Sequence, residues 1–284
     1  MTNRLIADRD RFAAENPERR IDLNGRDWGY LDVGTGGPVL LLVPGTLGRC
    51  DIFWQQIEAL KDRARVVALS YPVSGGVADW SDDIAALCEK LDLGKVTLLG
   101  SSLGGYLVQH FAATHPERVE RLIAANTLHS VAEIATKPPY SSDLDNGPIE
   151  ELRAGFGTGL KAWAEMHPDQ SELVELLLME VGGRIPEAEL RNRLNALKRG
   201  PELPPVELPN ERTATIEGAD DPLIPPPMRE AVRARLKPGV AYRFESGGHF
   251  PYVVRPALYT ALLEEQLGLP LTGEGWGKGA VRAR

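Results

Sequence analysis

The sequence predicts an α/β fold, a mostly parallel central sheet flanked by helices, with a helical cap inserted between two strands. Three observations carry this. Short apolar runs alternate with amphipathic stretches of ten or more residues, the pattern of βαβ units. One run, Val39-Leu40-Leu41-Leu42-Val43, is apolar at every position, as a central strand is when helices cover both faces. The alternation then fails once, over residues 127–209, where helical periodicity continues without a strand.

The composition sets the outer bounds. A chain of 284 residues is long enough for one large domain with a sizeable core. Apolar residues make up 43% and charged residues 25%, the mixture of a soluble globular protein. A net charge of −8 argues against sequence-independent binding of nucleic acid or of an anionic membrane. No apolar run is long enough for a transmembrane helix, and residues 1–20 are charged throughout, without the apolar core of a leader peptide. Two cysteines, Cys50 and Cys88, exclude a disulfide framework or a cysteine-rich metal site. A cytoplasmic location is expected.

Residues 1–18 read as a charged helical arm that Leu5, Ile6 and Phe12 dock. Strands at 20–23 and 28–33 are joined by Asn24-Gly25, a hairpin signal. After the strand at 39–43 come Pro44-Gly45-Thr46-Leu47-Gly48 and a helix over 51–61 with Phe53, Trp54, Ile57 and Leu60 on one face. A strand at 65–69 and a helix over 80–91 follow, with Cys88 on the apolar face of that helix as a small buried hydrophobe. The next strand, 95–99, runs into Gly100-Ser101-Ser102-Leu103-Gly104 and a helix stopped by Pro116. A further strand covers 120–125. Three helices are then expected near 149–166, 170–181 and 186–199, forming either a cap over the strand ends or extra helices on a sheet face. Alternation resumes with strands at 212–217 and 240–244 and helices over 227–236 and 255–267. The core is therefore assigned to 19–126 and 210–268, the cap to 127–209. Residues 269–284, glycine-rich and poor in apolar side chains, are expected to be a disordered tail.

The chemistry gathers at strand ends. A strand, then G-x-S-x-G, then a helix is a nucleophile elbow, in which glycines let strand and helix meet sharply and Ser102 is held in a strained conformation. Serine needs a base for its proton, and the base needs a third group to orient it. The chain supplies both in the order serine, acid, histidine. Gly218-Ala219-Asp220-Asp221-Pro222 follows the strand at 212–217, with Asp221 the acid by spacing and Asp220 the alternative. Ser246-Gly247-Gly248-His249 follows the last strand, and two glycines allow the turn that aims the imidazole. Of the other histidines, His110, His115 and His167 read as packed or surface residues, whereas His129 opens the cap. An oxyanion needs two N–H donors. Leu103, at a helix N-terminus, is one, and Thr46, in the loop after the strand at 39–43, is the other, with Leu47 the alternative.

Taken together, the elbow, acid loop and histidine loop resemble those of the α/β-hydrolase superfamily from about residue 20 to 268. Pro44-Gly45 departs from that superfamily's common His-Gly oxyanion loop. Three stretches look like maspardin-type proteins: Ala68-Leu69-Ser70-Tyr71-Pro72-Val73, Leu98-Leu99-Gly100-Ser101-Ser102-Leu103-Gly104-Gly105 and Gly247-Gly248-His249-Phe250-Pro251-Tyr252. Animal maspardins lack the histidine of the last stretch and are thought to act as binding proteins, a role that the presence of His249 argues against here. The 43–48 loop and His249-Phe250-Pro251-Tyr252 also look like fungal zearalenone-type lactonases. Those take their acid from just after the strand that precedes the cap. Here Asn126-Thr127 stand there, which returns the role to Asp221.

The resemblance and the residues together imply a serine hydrolase of a small-molecule ester, lactone or thioester, working through an acyl-enzyme on Ser102 with no cofactor. A maspardin-like binding protein with little turnover is the alternative from another class. Carbon–carbon bond hydrolysis and perhydrolysis use the same triad. Nothing in the sequence specifies the oligomeric state.

Overall fold

Nine strands form one sheet in the order β1-β2-β4-β3-β5-β6-β7-β8-β9. They are β1 (Arg19–Leu23), β2 (Arg26–Val33), β3 (Val39–Val43), β4 (Arg65–Ser70), β5 (Val96–Ser101), β6 (Val119–Ala125), β7 (Thr213–Gly218), β8 (Val240–Phe244) and β9 (Val281–Ala283). The structure, a computed structural model, describes residues 3–34, 36–132 and 134–284. The hairpin β1–β2 is antiparallel, and β2 pairs antiparallel with β4. Every pairing from β4 through β3 to β9 is parallel. The hairpin turn has positive φ at both Asn24 (52°) and Gly25 (80°), the geometry a two-residue connection between twisted strands requires.

The apolar run of β3 lies where its composition demands. Leu40, Leu41, Leu42 and Val43 have no exposed surface, with Leu40 and Leu42 on one face and Leu41 and Val43 on the other. Burial of each such side chain contributes about 1.5–3 kcal/mol before entropy is counted. Helix α2 (Trp54–Leu60) and the C-terminal helices α9 (Pro251–Val254) and α10 (Pro256–Gln266) belong to the first face. Helices α3 (Val77–Lys90) and α4 (Leu103–Thr114) cover the second, with α8 (Pro226–Leu236) joining them. Helix α3 starts earlier than the periodicity predicts because the Asp79 carboxylate accepts the Gly76 N–H at 2.9 Å and closes its first turn. Cys88 is buried within this second face.

Between β6 and β7 the chain leaves the sheet and forms α5 (Ile149–Met166), α6 (Ser171–Met179), a π-type turn (Glu180–Arg184) and α7 (Glu187–Lys198). Leu173, Leu176, Leu177, Leu190 and Leu194 of this insert share one apolar cluster with Leu40 and Leu42 of β3. The N-terminal helix α1 (Arg4–Glu15) lies against the insert, where Asn3 Nδ2 donates to Glu172 O at 2.8 Å. Leu5 and Ile6 pack on the same cluster, and Phe12 is buried in it.

The C-terminal tail departs from expectation. Residues 269–284 are ordered by one large side chain: Trp276 is buried, edge-on to Tyr242 and Phe244, and its indole N–H donates to Leu258 O at 2.8 Å. The chain then adds β9 to the open edge of β8, pairing Ala241 with Val281. Four glycines lower the average apolarity of this stretch, and an average does not register a single aromatic anchor or a free strand edge beside it. Among the described residues, no helix is long and apolar enough to cross a membrane.

Candidate active site

The site forms where β3, β5, β6, β7 and β8 end together. At the end of β5, Ser102 has φ 55° and ψ −116°, a conformation that costs a non-glycine residue energy and is maintained by its surroundings. Its N–H donates to Ala125 O at 2.9 Å, and its carbonyl accepts from Tyr106 N at 3.0 Å and from Thr127 Oγ1 at 2.7 Å. The glycines of the motif are there for space. A Cβ on Gly100 would lie 2.1 Å from Gly104 O, and one on Gly104 would lie 2.3 Å from Val43 O. Helix α4 starts at Leu103, so the Leu103 N–H has no carbonyl one turn back within the helix and stays free for a ligand.

The loop after β3 passes over the elbow. A Cβ on Gly45 would lie 3.1 Å from Ser102 Cβ and 3.8 Å from its Oγ. The loop is a turn closed by Gly48 N–H donating to Gly45 O at 3.1 Å, which leaves the N–H groups of Thr46 and Leu47 outside that bond. Thr46 is buried.

The two aspartates after β7 separate by their partners. Asp221 Oδ2 lies 2.8 Å from His249 Nδ1, while its Oδ1 accepts Leu223 N–H at 2.8 Å and Ile224 N–H at 3.1 Å. Asp220 turns instead to the histidine loop and accepts Gly247 N–H at 3.1 Å and Gly248 N–H at 2.9 Å. One aspartate therefore meets the imidazole, and the other holds the loop that carries it. Burial pushes the Asp221 carboxyl up, but the charge of His249 and the hydrogen bonds from His249, Asn126 and Leu223 outweigh it. The carboxyl is held below its ordinary value, charged and acceptor-only. His249 is buried and sits edge-on to Phe250, with ring centroids 5.2 Å apart. Its loop is tied down further on, where Gln56 Nε2 donates to Tyr252 O at 2.8 Å and Gln55 Nε2 to Val253 O at 2.9 Å. Among the described residues, no hydrogen bond joins Ser102 Oγ to His249.

Two further residues contribute: Asn126, which the sequence does not mark as a partner, and Trp163, which with Phe156 and Met166 the sequence offers either for a pocket or for the cap's own core. Asn126, at the end of β6 with φ 44°, donates from Nδ2 to Asp221 Oδ2 at 2.9 Å and to Gly248 O at 3.4 Å. In the sequence this position lacks the carboxylate that zearalenone-type lactonases carry there; in the fold its amide supports the carboxylate of the next strand. Trp163 of α5 is the second. A Cβ on Gly248 would lie 2.9 Å from its ring, so this indole closes over the histidine loop. The ring also stacks on His167 at 3.8 Å and donates to Gln170 Oε1 at 3.0 Å. Met166, on the same helix, points to solvent, and Phe156 packs on the apolar cluster. The remaining histidines lie elsewhere. Burial lowers the pKa of His110 within α4, His115 bonds Asp82 at 3.1 Å, and His129 is half-buried.

Comparison with known proteins agrees with the fold. A family model described as alpha/beta hydrolase fold matches residues 38–256. Maspardin of Danio rerio is 25% identical over 263 residues, covering 89% of this chain and 83% of its own length. The candidate carbamate hydrolase RutD of Serratia proteamaculans is 30% identical over 231 residues, covering 75% of this chain and 84% of its own. Among solved structures, a thermophilic esterase from Thermogutta terrifontis superposes with a TM-score of 0.71 at 24% identity, over 88% of this chain and 98% of that one. The maspardin likeness expected from three short stretches thus extends along most of the chain.

Proposed function

The chain belongs to the alpha/beta hydrolase fold family, and on that premise we propose that it is a serine hydrolase cleaving a carboxylic ester, lactone or thioester. The observation that carries this is the buried Asp221–His249 pair, 2.8 Å apart, at the strand ends beside a serine held at φ 55°. With Nδ1–H given to Asp221, the other ring nitrogen of His249 carries the lone pair that takes a proton. Ser102 Oγ attacks the substrate carbonyl carbon as its proton passes to His249. The Leu103 and Thr46 N–H groups receive the oxyanion, and His249 returns the proton to the leaving oxygen or sulfur. Water, deprotonated by the same imidazole, then releases the acid and restores Ser102. The serine–histidine hydrogen bond, open here, is one that such sites tighten when substrate binds. This chemistry asks for no cofactor. In the same reading residues 127–209 act as the cap, with Trp163 as its contact to the histidine loop, and the protein works in the cytoplasm on small molecules.

The extended likeness to maspardin favours a second reading, a binding protein with little turnover. One experiment separates them: a fluorophosphonate probe, followed by a hydrolysis screen of esters, lactones and thioesters. The hydrolase reading expects a covalent adduct on Ser102 and turnover that Ser102→Ala lowers by about 10⁶-fold. Folded protein that takes no probe and turns over no substrate overturns the hydrolase reading in favour of the binding one.

A further inference from the structure

The loop that passes over Ser102 is held by side chains from outside it. Tyr71 Oη donates to Pro44 O at 2.7 Å, and Arg193 Nη1, from the last helix of the insert, donates to Thr46 O at 3.0 Å and to Gly48 O at 2.8 Å. The two side chains form one unit, since the Arg193 guanidinium lies 5.1 Å over the Tyr71 ring. Arg193 is fully buried, and its Nη2 donates to Glu189 Oε2 at 2.7 Å. Glu189 also accepts from Arg49 at 3.1 Å, and Arg49 in turn bonds Glu18 at 2.8 Å.

A peptide unit is planar and trans, so fixing its carbonyl fixes the direction of the next residue's N–H. The Gly45 carbonyl, held by Gly48 N–H, sets the Thr46 N–H. The Thr46 carbonyl, held by Arg193, sets the Leu47 N–H, and Arg193 reaches the Thr46 N–H through Gly48, whose carbonyl it also holds and whose N–H closes the turn on Gly45 O. A guanidinium suits this task because its rigid fork reaches two carbonyls and a carboxylate at once, which an ammonium does not. Stability alone does not account for a buried arginine here, because an apolar side chain of similar volume is often as stable or more so.

We propose that Arg193, together with Tyr71, is a positioning residue of the oxyanion loop, so that the helical insert sets the aim of the N–H donors over Ser102. This rests on the serine-hydrolase reading. The insert then does more than shape a pocket, since the hole is complete only when α7 is seated.

The test compares wild type with Arg193→Met and Tyr71→Phe in steady-state ester hydrolysis and in affinity for an alkyl boronic acid, whose serine adduct places an oxygen in the hole. Arg193→Met leaves Glu189 paired with Arg49. It is expected to lower kcat by about 10–100-fold, less than outright loss of a donor, to move KM little, and to weaken boronate binding in parallel with kcat. Tyr71→Phe keeps the ring beneath the guanidinium and is expected to show the same pattern more weakly. A folded Arg193→Met that melts earlier but keeps wild-type kcat and boronate affinity overturns the proposal, since Arg193 is then only a tether for α7. If Arg193→Met does not fold, Tyr71→Phe decides in the same way. Wild-type protein that neither turns over esters nor takes the fluorophosphonate defeats the hydrolase reading and this proposal with it. Wild-type turnover with both variants unchanged defeats this proposal alone.

Discussion

The sheet and the helical insert share one apolar cluster but differ in what lies at their boundaries. Inside the sheet, β3 sits between apolar layers, and none of its residues from Leu40 to Val43 carries a charge. At the seam of the insert, charge is buried. Arg9 and Glu180 are both fully buried and paired, and Glu180 also accepts from Arg184 at 2.8 Å. Arg184 pairs with Asp51 of the core, and Arg49 of the core with Glu189 of the insert. Apolar burial is strong but has no direction. Paired charges have direction and tolerate few dockings, because a slipped pair leaves an ion uncompensated. The comparison teaches that the centre of the sheet needs only volume and pattern, whereas the insert is registered against the core by specific ion pairs.

The sharpest test of this contrast lies at the site both regions build. Asp221→Asn is expected to lower kcat by about 10⁴-fold, because an amide no longer fixes the histidine tautomer. Asp220→Asn still offers an oxygen to the histidine loop and is expected to cost far less. Steady-state rates for the two variants check the assignment, and the reverse order would exchange their roles.

Glu180→Ala comes next. Burial pushes the Glu180 carboxyl up against the pull of Arg184 and Arg9. Removing it leaves the fully buried Arg9 without that partner, at a cost of about 3–5 kcal/mol. Denaturant unfolding measures this. Leu42→Ala, in the sheet, is expected to cost about 2–5 kcal/mol through its cavity. Repeating both at several pH values separates them, since only the ionic seam titrates.

A smaller effect is expected from Asn126→Ala. Loss of a hydrogen bond to a charged group is worth about 1.5–3 kcal/mol of stability, so the melting temperature falls by several degrees, and kcat falls as the Asp221 carboxylate loses that partner.

The smallest concerns Glu18. Burial raises its carboxyl, but bonds from Ser70, Arg49, Cys50 and Arg20 hold it below the ordinary value. A carboxylate whose folded pKa is depressed adds stability that is present above its unfolded pKa and is lost as pH falls through the folded value. Melting temperature should therefore drop on acidification below about pH 4.5, and Glu18→Gln should flatten that drop. An unchanged acid limb in the variant would remove Glu18 from the account.

The elbow and the two loops were legible in the sequence because their demands are local. Gly100 and Gly104 are required by backbone atoms a few ångströms away, and the order of serine, acid and histidine follows from where strands end. Asn126 was not legible as a partner of Asp221, because its amide meets that carboxylate only when β6 and β7 lie side by side. Trp276 was hidden for another reason, one buried aromatic in a glycine-rich stretch that averages as loop. Arg193 carries no signal of its burial in the sequence, because one arginine in a helical stretch does not show which face turns inward, yet it is fully buried.

By itself the sequence determined what periodicity and backbone chemistry determine: a parallel sheet covered on both faces, a strained serine turn, and acid and histidine loops at successive strand ends. Only the tertiary structure decided which aspartate meets the imidazole, which indole covers the histidine loop, and which arginine holds the carbonyls above Ser102. The physical reason is range. Apolar pattern and turn geometry act between neighbours in the chain, whereas a hydrogen bond from Arg193 to Thr46 spans 147 residues of sequence and exists only once the sheet and the insert have met.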